Sequence, residues 1–333
     1  MTGAFEDGAV TLSVLMVNWN TREMTLECLR SLYHQTSETS FEVILVDNGS
    51  ADHSAEAIAA EFPQVHLLAE TQNHGFGMAN NIAAQLARGR FLLLLNTDTV
   101  VLDGAVDRLM EFAQAQPRAG IWGGRTIFGD GSPNPTSYWG RITPWSSFCL
   151  AVGLTALARR SRWLNPEGLG NWKRGIEKKV DVVSGCFFLI EASLWKRLRG
   201  FDRAFFMYGE EADLCARARR LGAEPMVTDA ATIIHFGGAS ATKRTDTIVY
   251  LSGARIGLAA RHLGGTGAAF VRSMTVFAAF WRASLYGILA RILNRDGASV
   301  AADQWREVWG RRGEWRDGPV EAPISVELAS AKL

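Results

Sequence analysis

Two polar side chains close a strongly apolar stretch and could hold a metal ion or a charged ligand. The run Phe91–Leu95 is apolar throughout and is followed by Asn96, Thr97 and Asp98. This run is too short for a membrane span and is typical of a strand buried on both faces. A carboxylate after such a strand lies at the carboxyl edge of the sheet, where open α/β sheets bind ligands. Asp98 alone could equally cap the turn that follows the strand.

Three earlier apolar stretches, at residues 12–17, 41–46 and 65–68, also end in polar or glycine-rich loops. These loops are Asn18-Trp19-Asn20, Asp47-Asn48-Gly49-Ser50 and Asn73-His74-Gly75-Phe76-Gly77. The segments between them predict helices, over about 21–35, 54–62 and 78–88, so strands and helices alternate. Short links between them imply right-handed crossovers and a parallel sheet. The four strand ends are therefore expected along one edge.

Each loop has a structural and a functional interpretation. Asp47 to Ser50 is favourable turn chemistry by itself, but Asp47 could accept the imide N–H of uracil or thymine, with Trp19 covering the base. Gly75 and Gly77 resemble a dinucleotide-binding loop only weakly, because that fingerprint follows the first strand and this pair follows the third. A glycine here would let the backbone approach a sugar or diphosphate closely.

An acidic cluster in the second half could supply a catalytic base. Glu210, Glu211 and Asp213 follow an aromatic stretch at 205–208 and begin a predicted helix that ends near Leu221. The helix dipole alone would favour carboxylates in this first turn. Apolar walls would instead raise their pKa, which suits a base working near neutrality. His235 ends a predicted strand at 232–235 and is interpreted either as structural or as a ligand.

These motifs, in this order, resemble the family 2 glycosyltransferases of GT-A fold, in particular the bacterial rhamnosyltransferase-like branch. The resemblance runs from about Leu12 to about His262. It implies a nucleotide-diphospho-sugar donor, a divalent metal (Mg²⁺ or Mn²⁺) and transfer with inversion at the anomeric carbon. Its donor-binding positions correspond to Asn18, Trp19, Asn20, Asp47, Asn48, Gly75, Phe76, Asn81, Asn96 and Thr97.

The resemblance also implies individual roles. Asp47 matches the base-reading Asp, and Asp98 matches the second, metal-binding Asp of the Asp-X-Asp motif, whose first position is Asn96 here. His235 matches a histidine placed near the metal and diphosphate. The Glu-Asp pair of the family aligns with Glu210 and Glu211, which places Glu211 at the position of the catalytic base, one methylene longer than Asp.

Composition excludes some classes of function. A formal net charge of +1 over 333 residues gives no reason to expect a nucleic-acid partner. Cys28, Cys149, Cys186 and Cys215 lack metal-type spacing and predict buried thiols in a reducing compartment. The first ten residues lack a basic-then-apolar pattern, so a cytoplasmic location is expected, with attachment at the inner face of the membrane as an option.

The region after the first predicted half is less regular. A helix is predicted over 103–116, a glycine- and turn-rich segment over 120–134, and a strand over 182–190, where Gly185 avoids obstructing a ligand. Residues 158–179 predict a solvated loop or an acceptor-side loop that meets phosphates. The basic residues of this loop are Arg159, Arg160, Arg162, Lys173, Arg174, Lys178 and Lys179.

Residues 270–293 predict an amphipathic helix. Phe277, Trp281 and Ile288 share one apolar face, and Arg272, Arg282 and Arg291 lie on the opposite half, so no uninterrupted run reaches the ~20 residues of a membrane span. The helix could dock on the catalytic domain, on a protein partner or on a membrane surface. The tail after Gly310 is expected to be frayed.

We therefore predict an α/β protein of GT-A fold, with a mostly parallel central sheet flanked by helices. Residues 1–263 would form the catalytic domain, with a nucleotide-binding half over about 11–116 and an acceptor-side half over about 117–263. Residues 264–333 would form a helical extension. The predicted activity moves rhamnose or a related deoxyhexose to a saccharide or lipid-linked glycan of the cell envelope; oligomers are possible.

Three alternatives stay open or are disfavoured by the sequence. A UDP-hexose or UDP-N-acetylhexosamine could be the donor instead. A sugar nucleotidyltransferase would need a glycine-rich loop after the first strand, and Val17-Asn18-Trp19-Asn20 has no glycine. A catalytically silent sugar-nucleotide-binding protein is disfavoured by the acidic cluster at Glu210 to Asp213.

Overall fold

The computed structural model describes residues 10–169, 177–237, 244–293 and 296–321. Lys173 and Arg174, which were predicted to lie in a loop, are outside these ranges. The strands are β1 Leu12–Asn18, β2 Phe41–Asp47, β3 His66–Ala69, β4 Phe91–Leu95, β5 Thr99–Val101, β6 Ile121–Ile127, β7 Tyr138–Trp139, β8 Lys178–Lys179, β9 Val182–Val183, β10 Phe187–Glu191 and β11 Met226–His235. The helices are α1 Arg22–Gln35, α2 Ser54–Glu61, α3 Gly75–Leu86, α4 Ala105–Ala115, α5 Pro144–Ala151, α6 Leu154–Leu157, α7 Ala192–Leu198, α8 Glu210–Arg220, α9 Arg244–His262, α10 Gly265–Leu293, α11 Asp296–Gly310 and α12 Arg312–Trp315.

The main sheet has the strand order β3-β2-β1-β4-β10-β6-β11-β5, with β8 paired to β11. The first four strands in this order are mutually parallel, and β6 is parallel to β11, whereas β10 runs antiparallel to both of its neighbours. The apolar runs of β1, β2 and β4 are almost entirely buried because helices cover both faces. The predicted α/β architecture with a mostly parallel sheet is confirmed.

Two apolar cores lie on the two faces of this sheet. One packs β-strand side chains such as Leu93 against α1, α2 and α4, and the other packs side chains such as Leu94 against α3, α7 and α8. Alternate residues of one strand thus serve opposite cores, as the period of two in a strand requires. All four cysteines are buried and free, as predicted.

The segment predicted to be turn-rich, 120–134, contains the central strand β6. The two glycines within β6, Gly123 and Gly124, indicated a turn by residue type, but in the structure they allow close packing. A Cβ on Gly123 would lie 2.4 Å from Cγ1 of Val183, and one on Gly124 would lie 2.4 Å from the carbonyl oxygen of Ala231. Glycine inside a strand here marks a close approach of neighbouring chain. The prediction of a turn-rich segment is therefore wrong for residues 121–127, which form β6, whereas residues 129–130 do form a turn.

The predicted strand at 182–190 is broken into β9 and β10. β9 pairs with β7 in a separate small sheet, while β10 enters the main sheet between β4 and β6. Ser184, Gly185 and Cys186 form the break and line the cleft described below. A continuous apolar pattern did not reveal that its two halves belong to different sheets.

The C-terminal helices pack on one another and on the main body. Val249 of α9, Ala279 of α10 and Val308 of α11 share a small core with Trp315, which is fully buried. Trp315 also donates from Nε1 to the carbonyl oxygen of Val308 at 3.1 Å. The expectation of a frayed tail after Gly310 is therefore wrong up to residue 321, because Trp315 anchors α12.

Helix α10 is longer than predicted and begins at Gly265. Its residues Gly265–Ile292 are long and apolar enough to cross a membrane, judged by length and composition alone, the one such stretch among the described residues. This differs from the expectation that the arginines prevent a span. Arg272, Arg282 and Arg291 are nine or ten positions apart, so a stretch of 18 residues contains at most two of them.

Candidate active site

A deep cleft of about 1860 Å³ runs along the carboxyl edge of the sheet and on toward α9 and α10. Nine of the side chains singled out from the sequence line it: Trp19, Asn48, Phe76, Asn96, Thr97, Asp98, Glu210, Glu211 and His235. The other six, Asn18, Asn20, Asp47, Gly75, Asn81 and Asp213, are not among its lining residues. The strand ends thus meet as predicted. The sequence pattern did not distinguish the residues that line the cleft from the residues that lie behind them.

Asp98 and His235 are brought together by the pairing of β5 with β11. The antiparallel register places His235 opposite Thr99, and Asp98 precedes Thr99 in the chain. The Nε2 atom of His235 lies 3.3 Å from Oδ1 of Asp98, and both side chains are 12% exposed. Burial alone would lower the pKa of His235, but Cys186 and Asp98 raise it to about 10.

This pair can be tested as part of a metal site. The side-chain oxygen of Asn96 and the Nδ1 atom of His235 are both buried without a hydrogen-bond partner. Among the described residues, no group of three or more His, Cys, Asp and Glu side chains is placed to hold an ion. Mg²⁺ is commonly bound by one or two carboxylates together with substrate phosphates and water. Asp98 and the free oxygen of Asn96 therefore fit a divalent ion completed by phosphates and water, and His235 would join them only after losing its proton.

Asn18 and Asp47 tie two loops together beneath the cleft. The Nδ2 group of Asn18 donates to Oδ1 of Asp47 at 2.6 Å and to Oγ of Ser50 at 3.0 Å. The second oxygen of Asp47 accepts from the backbone N–H of Ser50 at 3.1 Å. Asn20, in a left-handed conformation, accepts from the backbone N–H of Ala51. These side chains hold the β1 and β2 loops in register for Trp19, which does line the cleft.

Asn48 connects the end of β2 to the loop before α3. Its Nδ2 group donates to Oδ1 of Asn73 at 2.8 Å, and its Oδ1 accepts from the backbone N–H of His74 at 3.0 Å. Asn73 also lines the cleft, although the sequence analysis gave it no role of its own. The only sign of Asn73 in the sequence was its position in the same loop as Gly75 and Phe76.

The two glycines around Phe76 serve packing between α3 and the segment before α8. Gly75 has φ of +77°, and a Cβ there would lie 2.3 Å from the carbonyl oxygen of Phe206. Gly77 faces the stem of Glu210, whose Cβ would be 3.5 Å from an added Cβ. The expectation that Gly75 opens room for a sugar or diphosphate differs from this geometry, because Phe206 occupies that space. Phe76 itself forms the wall of the cleft.

Asn81 also has a supporting position. Its Nδ2 group donates to the carbonyl oxygen of Phe201, and its Oδ1 accepts from the backbone N–H of Phe201, each at 2.9 Å. Both functional ends of the amide are therefore engaged by the chain that leads into the acidic cluster. Asn81 fixes that chain against α3.

Glu210 and Glu211 are neighbouring acids at the start of α8, and no basic side chain of the described residues pairs with either one. The Oε2 atom of each is buried without a partner, and no ion pair involves either one among the described residues. Burial, followed by the charge of Glu211, raises the pKa of Glu210 well above its usual value. Burial also raises the pKa of Glu211, although hydrogen bonds from backbone N–H groups at the helix start lower it in part. Desolvation thus outweighs the helix dipole, which contributes only about 0.3–1 kcal/mol.

Asp213 differs from these two acids because it has strong partners. It accepts from Nε of Arg217 at 2.7 Å and lies 2.8 Å from Nε2 of His262. Burial by itself would raise its pKa, but His262 and Arg217 together lower it below the usual value. Arg217 in turn donates to the carbonyl oxygens of Leu198 and Gly200. Asp213 is therefore a structural carboxylate, held ionised.

His262 is a cleft residue that the sequence analysis did not identify. It ends α9, lines the cleft, and has a buried Nδ1 atom without a hydrogen-bond partner. It lies 49 positions from Asp213 in the chain. No local motif connects the two residues, so only the packing of α9 on α8 could reveal the pair.

Comparison with known proteins identifies relatives of this arrangement. The family described as "Glycosyl transferase family 2" matches residues 13–198. The O-antigen biosynthesis protein RfbC of Myxococcus xanthus is 29% identical over 251 residues, covering 72% of this chain and 18% of that protein. The N-acetylglucosaminyl-diphospho-decaprenol L-rhamnosyltransferase of Mycobacterium tuberculosis is 28% identical over 227 residues, covering 60% of this chain and 67% of that protein.

A solved structure supports the fold over most of the chain. The mannosyltransferase PcManGT of Pyrobaculum calidifontis, solved in complex with GDP-Man and Mn²⁺, superposes with a TM-score of 0.58 at 14% sequence identity. The superposition covers 92% of this chain and 88% of that one. At this identity the likeness concerns the fold.

Proposed function

The chain belongs to glycosyl transferase family 2, and we propose that it transfers a deoxyhexose from a nucleotide-diphospho-sugar, with inversion at the anomeric carbon. Rhamnose is the sugar we favour, with dTDP-rhamnose as donor. The acceptor would be a saccharide or lipid-linked glycan in the synthesis of envelope polysaccharide. The names of the two curated relatives, an O-antigen biosynthesis protein and a rhamnosyltransferase, support this choice of sugar and acceptor class.

One observation carries the proposal. A single cleft is lined at one side by the polar strand ends Asn48, Asn96 and Asp98, and at another by the unpaired carboxylates of Glu210 and Glu211. Transfer of a sugar needs both a site for an anionic donor and a base for the acceptor hydroxyl. A protein that only bound a sugar nucleotide would have no use for two acids that each bury an oxygen without a partner, which costs free energy.

Glu211 is proposed as the base. Its carboxylate takes the proton of the acceptor hydroxyl while the hydroxyl oxygen attacks the anomeric carbon from the side opposite the departing diphosphate. A raised pKa brings the group closer to neutrality, where proton transfer by a general base is most effective. Gly185 lies between the ring of Phe76 and the stem of Glu211, since a Cβ on Gly185 would be 3.3 Å from Cε1 of Phe76 and 3.9 Å from Cβ of Glu211.

Glu210 would act differently because it is more deeply placed. It is 4% exposed, and its stem packs on Gly77. Its raised pKa favours the protonated acid, which would keep a second negative charge away from Glu211 and would donate a hydrogen bond to the acceptor. Asp213 would position His262 and brace α8.

The donor would be bound by side chains of the strand ends. Trp19 offers an aromatic face to the base, and Asn48, Asn73 and Thr97 offer hydrogen bonds to the ribose and diphosphate. Asp98 and His235 would hold Mg²⁺ or Mn²⁺, which neutralises charge on the leaving diphosphate. Asp47, already bonded to Asn18 and Ser50, retains lone pairs for a uracil or thymine imide.

We further propose that residues 1–263 form the catalytic domain and 264–333 an extension at the cytoplasmic face of the membrane. Residues 270–293 would contact a membrane surface or a protein partner. The exposed fractions of Phe277 and Ile288, 44% and 54%, support contact with something apolar.

The decisive experiment is a thermal-shift panel followed by a transfer assay. Nucleotide sugars carrying rhamnose, hexose or N-acetylhexosamine are added with and without Mn²⁺ or Mg²⁺, because a ligand of the native state raises its apparent stability. A metal-dependent shift with dTDP-rhamnose, followed by release of dTDP with a glycan acceptor, is expected. A shift only with UDP-hexose or UDP-N-acetylhexosamine would overturn the sugar assignment. Binding without turnover would overturn the activity.

A further inference from the structure

The segment that runs from the end of α5 through α6 and the turn after it presents large apolar side chains to solvent. We call residues 150–165 the α5–α6 corner. Leu157 is 84% exposed and Trp163 is 81% exposed, more than any other large apolar side chain in the described part of the chain. Leu150 and Val152 of the same corner are each 37% exposed. Exposed apolar groups concentrated in one segment mark a binding surface more often than scattered ones do.

The corner is held in place by its own hydrogen bonds. Nε1 of Trp145 donates to the carbonyl oxygen of Trp163 at 2.8 Å, and Nδ2 of Asn165 donates to that of Arg159 at 2.9 Å. Oγ of Ser161 accepts from the backbone N–H groups of Trp163 and Leu164. The exposure of Trp163 is therefore built into the local geometry, which explains why the side chain does not fold back on α5.

The charge of the corner has one sign. Arg159, Arg160 and Arg162 are exposed, and none has a carboxylate partner among the described residues. The chain contains no Asp or Glu between Asp130 and Glu167, and Glu167 pairs with Arg255. Apolar side chains interleaved with unpaired arginines match a surface that is anionic outside and apolar beneath.

Helix α10 lies directly beside this corner. Nε1 of Trp281 donates to the carbonyl oxygen of Ala151, and Arg282 donates to that of Leu150 at 2.6 Å. The chain also has no Asp or Glu between Asp246 and Asp296, a range that contains all of α10. Ile288 and Ile292, in its C-terminal half, are 54% and 70% exposed.

We propose that the α5–α6 corner, with the exposed face of α10, docks the protein on an anionic lipid bilayer. Leu157 and Trp163 would enter the interfacial layer, where tryptophan is favoured, and Arg159, Arg160 and Arg162 would contact lipid phosphates. The occupant is a lipid surface rather than an acidic protein because the two most exposed apolar side chains, Leu157 and Trp163, line no groove; the small cavity beside them is bounded by other residues, among them Ala156 and Asn165.

Helix α10 would lie on the bilayer and not cross it. It is held along its length by other helices: Arg272 donates to the carbonyl oxygen of Arg316, and the ring of Phe280 lies 5.2 Å from that of Trp309. The contacts of Trp281 and Arg282 with α5 hold its middle. A spanning α10 would have to give up all of these contacts.

The test measures co-flotation of the full chain with vesicles, and it needs neither donor nor acceptor. Vesicles of phosphatidylcholine alone are compared with vesicles that also contain phosphatidylglycerol. Binding only to the anionic vesicles is expected, and Arg159→Glu with Arg160→Glu should weaken it by more than the roughly fivefold that one basic residue contributes. Leu157→Ser with Trp163→Ser should also release the protein.

Matched controls change the same residue types elsewhere. Arg118→Glu with Arg203→Glu alters net charge equally, and Leu86→Ser removes a side chain that is 50% exposed on α3. These variants should bind anionic vesicles like the parent chain. Equal loss in corner and control variants, or binding unaffected by the corner variants, would overturn the proposal. Retention on the vesicles after alkaline carbonate extraction would also overturn it, because that behaviour indicates a span. If the protein bound vesicles through the corner but transferred no sugar, the docking proposal would stand and the proposed function would fail.

Discussion

The imidazole of His262 lies with Nε2 2.8 Å from Oδ1 of Asp213, although the two residues belong to different helices. With Arg217 on its other oxygen, Asp213 is bonded at both oxygens, and it is not among the residues that line the cleft. The neighbouring Glu211 has the opposite character, with a raised pKa and a buried oxygen that lacks a partner. Within a single turn of α8, Asp213 therefore supports the structure, whereas Glu211 is available for chemistry.

Glu211→Gln is expected to lower the rate of sugar transfer at least ~10²-fold while leaving donor affinity nearly unchanged, because it removes basicity and keeps shape. Steady-state rates and donor binding measured by calorimetry check this. Glu56→Gln, on the exposed side of α2, is the matched control and should behave like the parent. Near-normal transfer by Glu211→Gln together with an inactive but folded Asp213→Asn would assign the base to Asp213.

Asp213→Asn should act mainly on stability. Asp213 is 1% exposed, and removing one partner of a buried ion pair strands the other charge, at a cost of about 3–5 kcal/mol. In denaturant unfolding, Asp213→Asn should therefore be less stable than Glu211→Gln. In the transfer assay the order should reverse, with Glu211→Gln the slower enzyme. Equal stabilities would mean that the Arg217 and His262 contacts contribute little.

Glu210→Gln should stabilise the fold increasingly as pH rises. The folded-state pKa of Glu210 lies above its unfolded value near ~4.3. The free energy of unfolding of the parent therefore falls as pH rises above that value, because the unfolded state ionises more readily. Below the unfolded pKa both states are protonated, and the variant and parent should unfold alike. Between the two pKa values the gain should grow by about 1.4 kcal/mol per pH unit and then level off. A gain that is constant from acid to neutral pH would contradict the burial of an ionisable group at this position.

Asp98→Ala is expected to abolish turnover and to remove the metal-dependent part of the thermal shift with donor. The fold should persist, since Asp98 lies at a strand end beside the cleft. Asp303→Ala, on the exposed surface of α11, provides the control. Retention of the full metal-dependent shift by Asp98→Ala would show that the ion is held elsewhere.

Gly75→Ala and Gly131→Ala form a matched pair, because their φ values are +77° and +79°. Alanine at Gly131 meets no atom within 4 Å, so only the left-handed backbone costs free energy, about 1–2 kcal/mol. Alanine at Gly75 would also collide with the backbone oxygen of Phe206 and should cost at least ~3 kcal/mol. Chemical unfolding of the two variants gives the difference. Similar losses would mean that the segment around Phe206 yields easily.

The apolar runs determined much of the fold from the sequence alone. Strands β1, β2 and β4 lie within a residue of their predicted limits, because a strand buried on both faces must be apolar throughout. Alternation with helices then required a parallel arrangement, which brought Asn18, Asp47 and Asp98 to one edge. The cluster at Glu210 to Asp213 could also be found from the sequence, because several acids beside aromatic residues form a local pattern.

Only the tertiary structure decided which of these groups reach the cleft. Asp98 meets His235 because β5 pairs antiparallel with β11, and Asp213 meets His262 because α9 packs on α8; neither contact leaves a trace in local sequence pattern. Likewise, Gly124 indicated a turn by type, yet it lies in a central strand because the backbone of Ala231 needs its space. Periodicity reports which face of an element is buried, whereas the partner across that face depends on contacts between segments far apart in the chain.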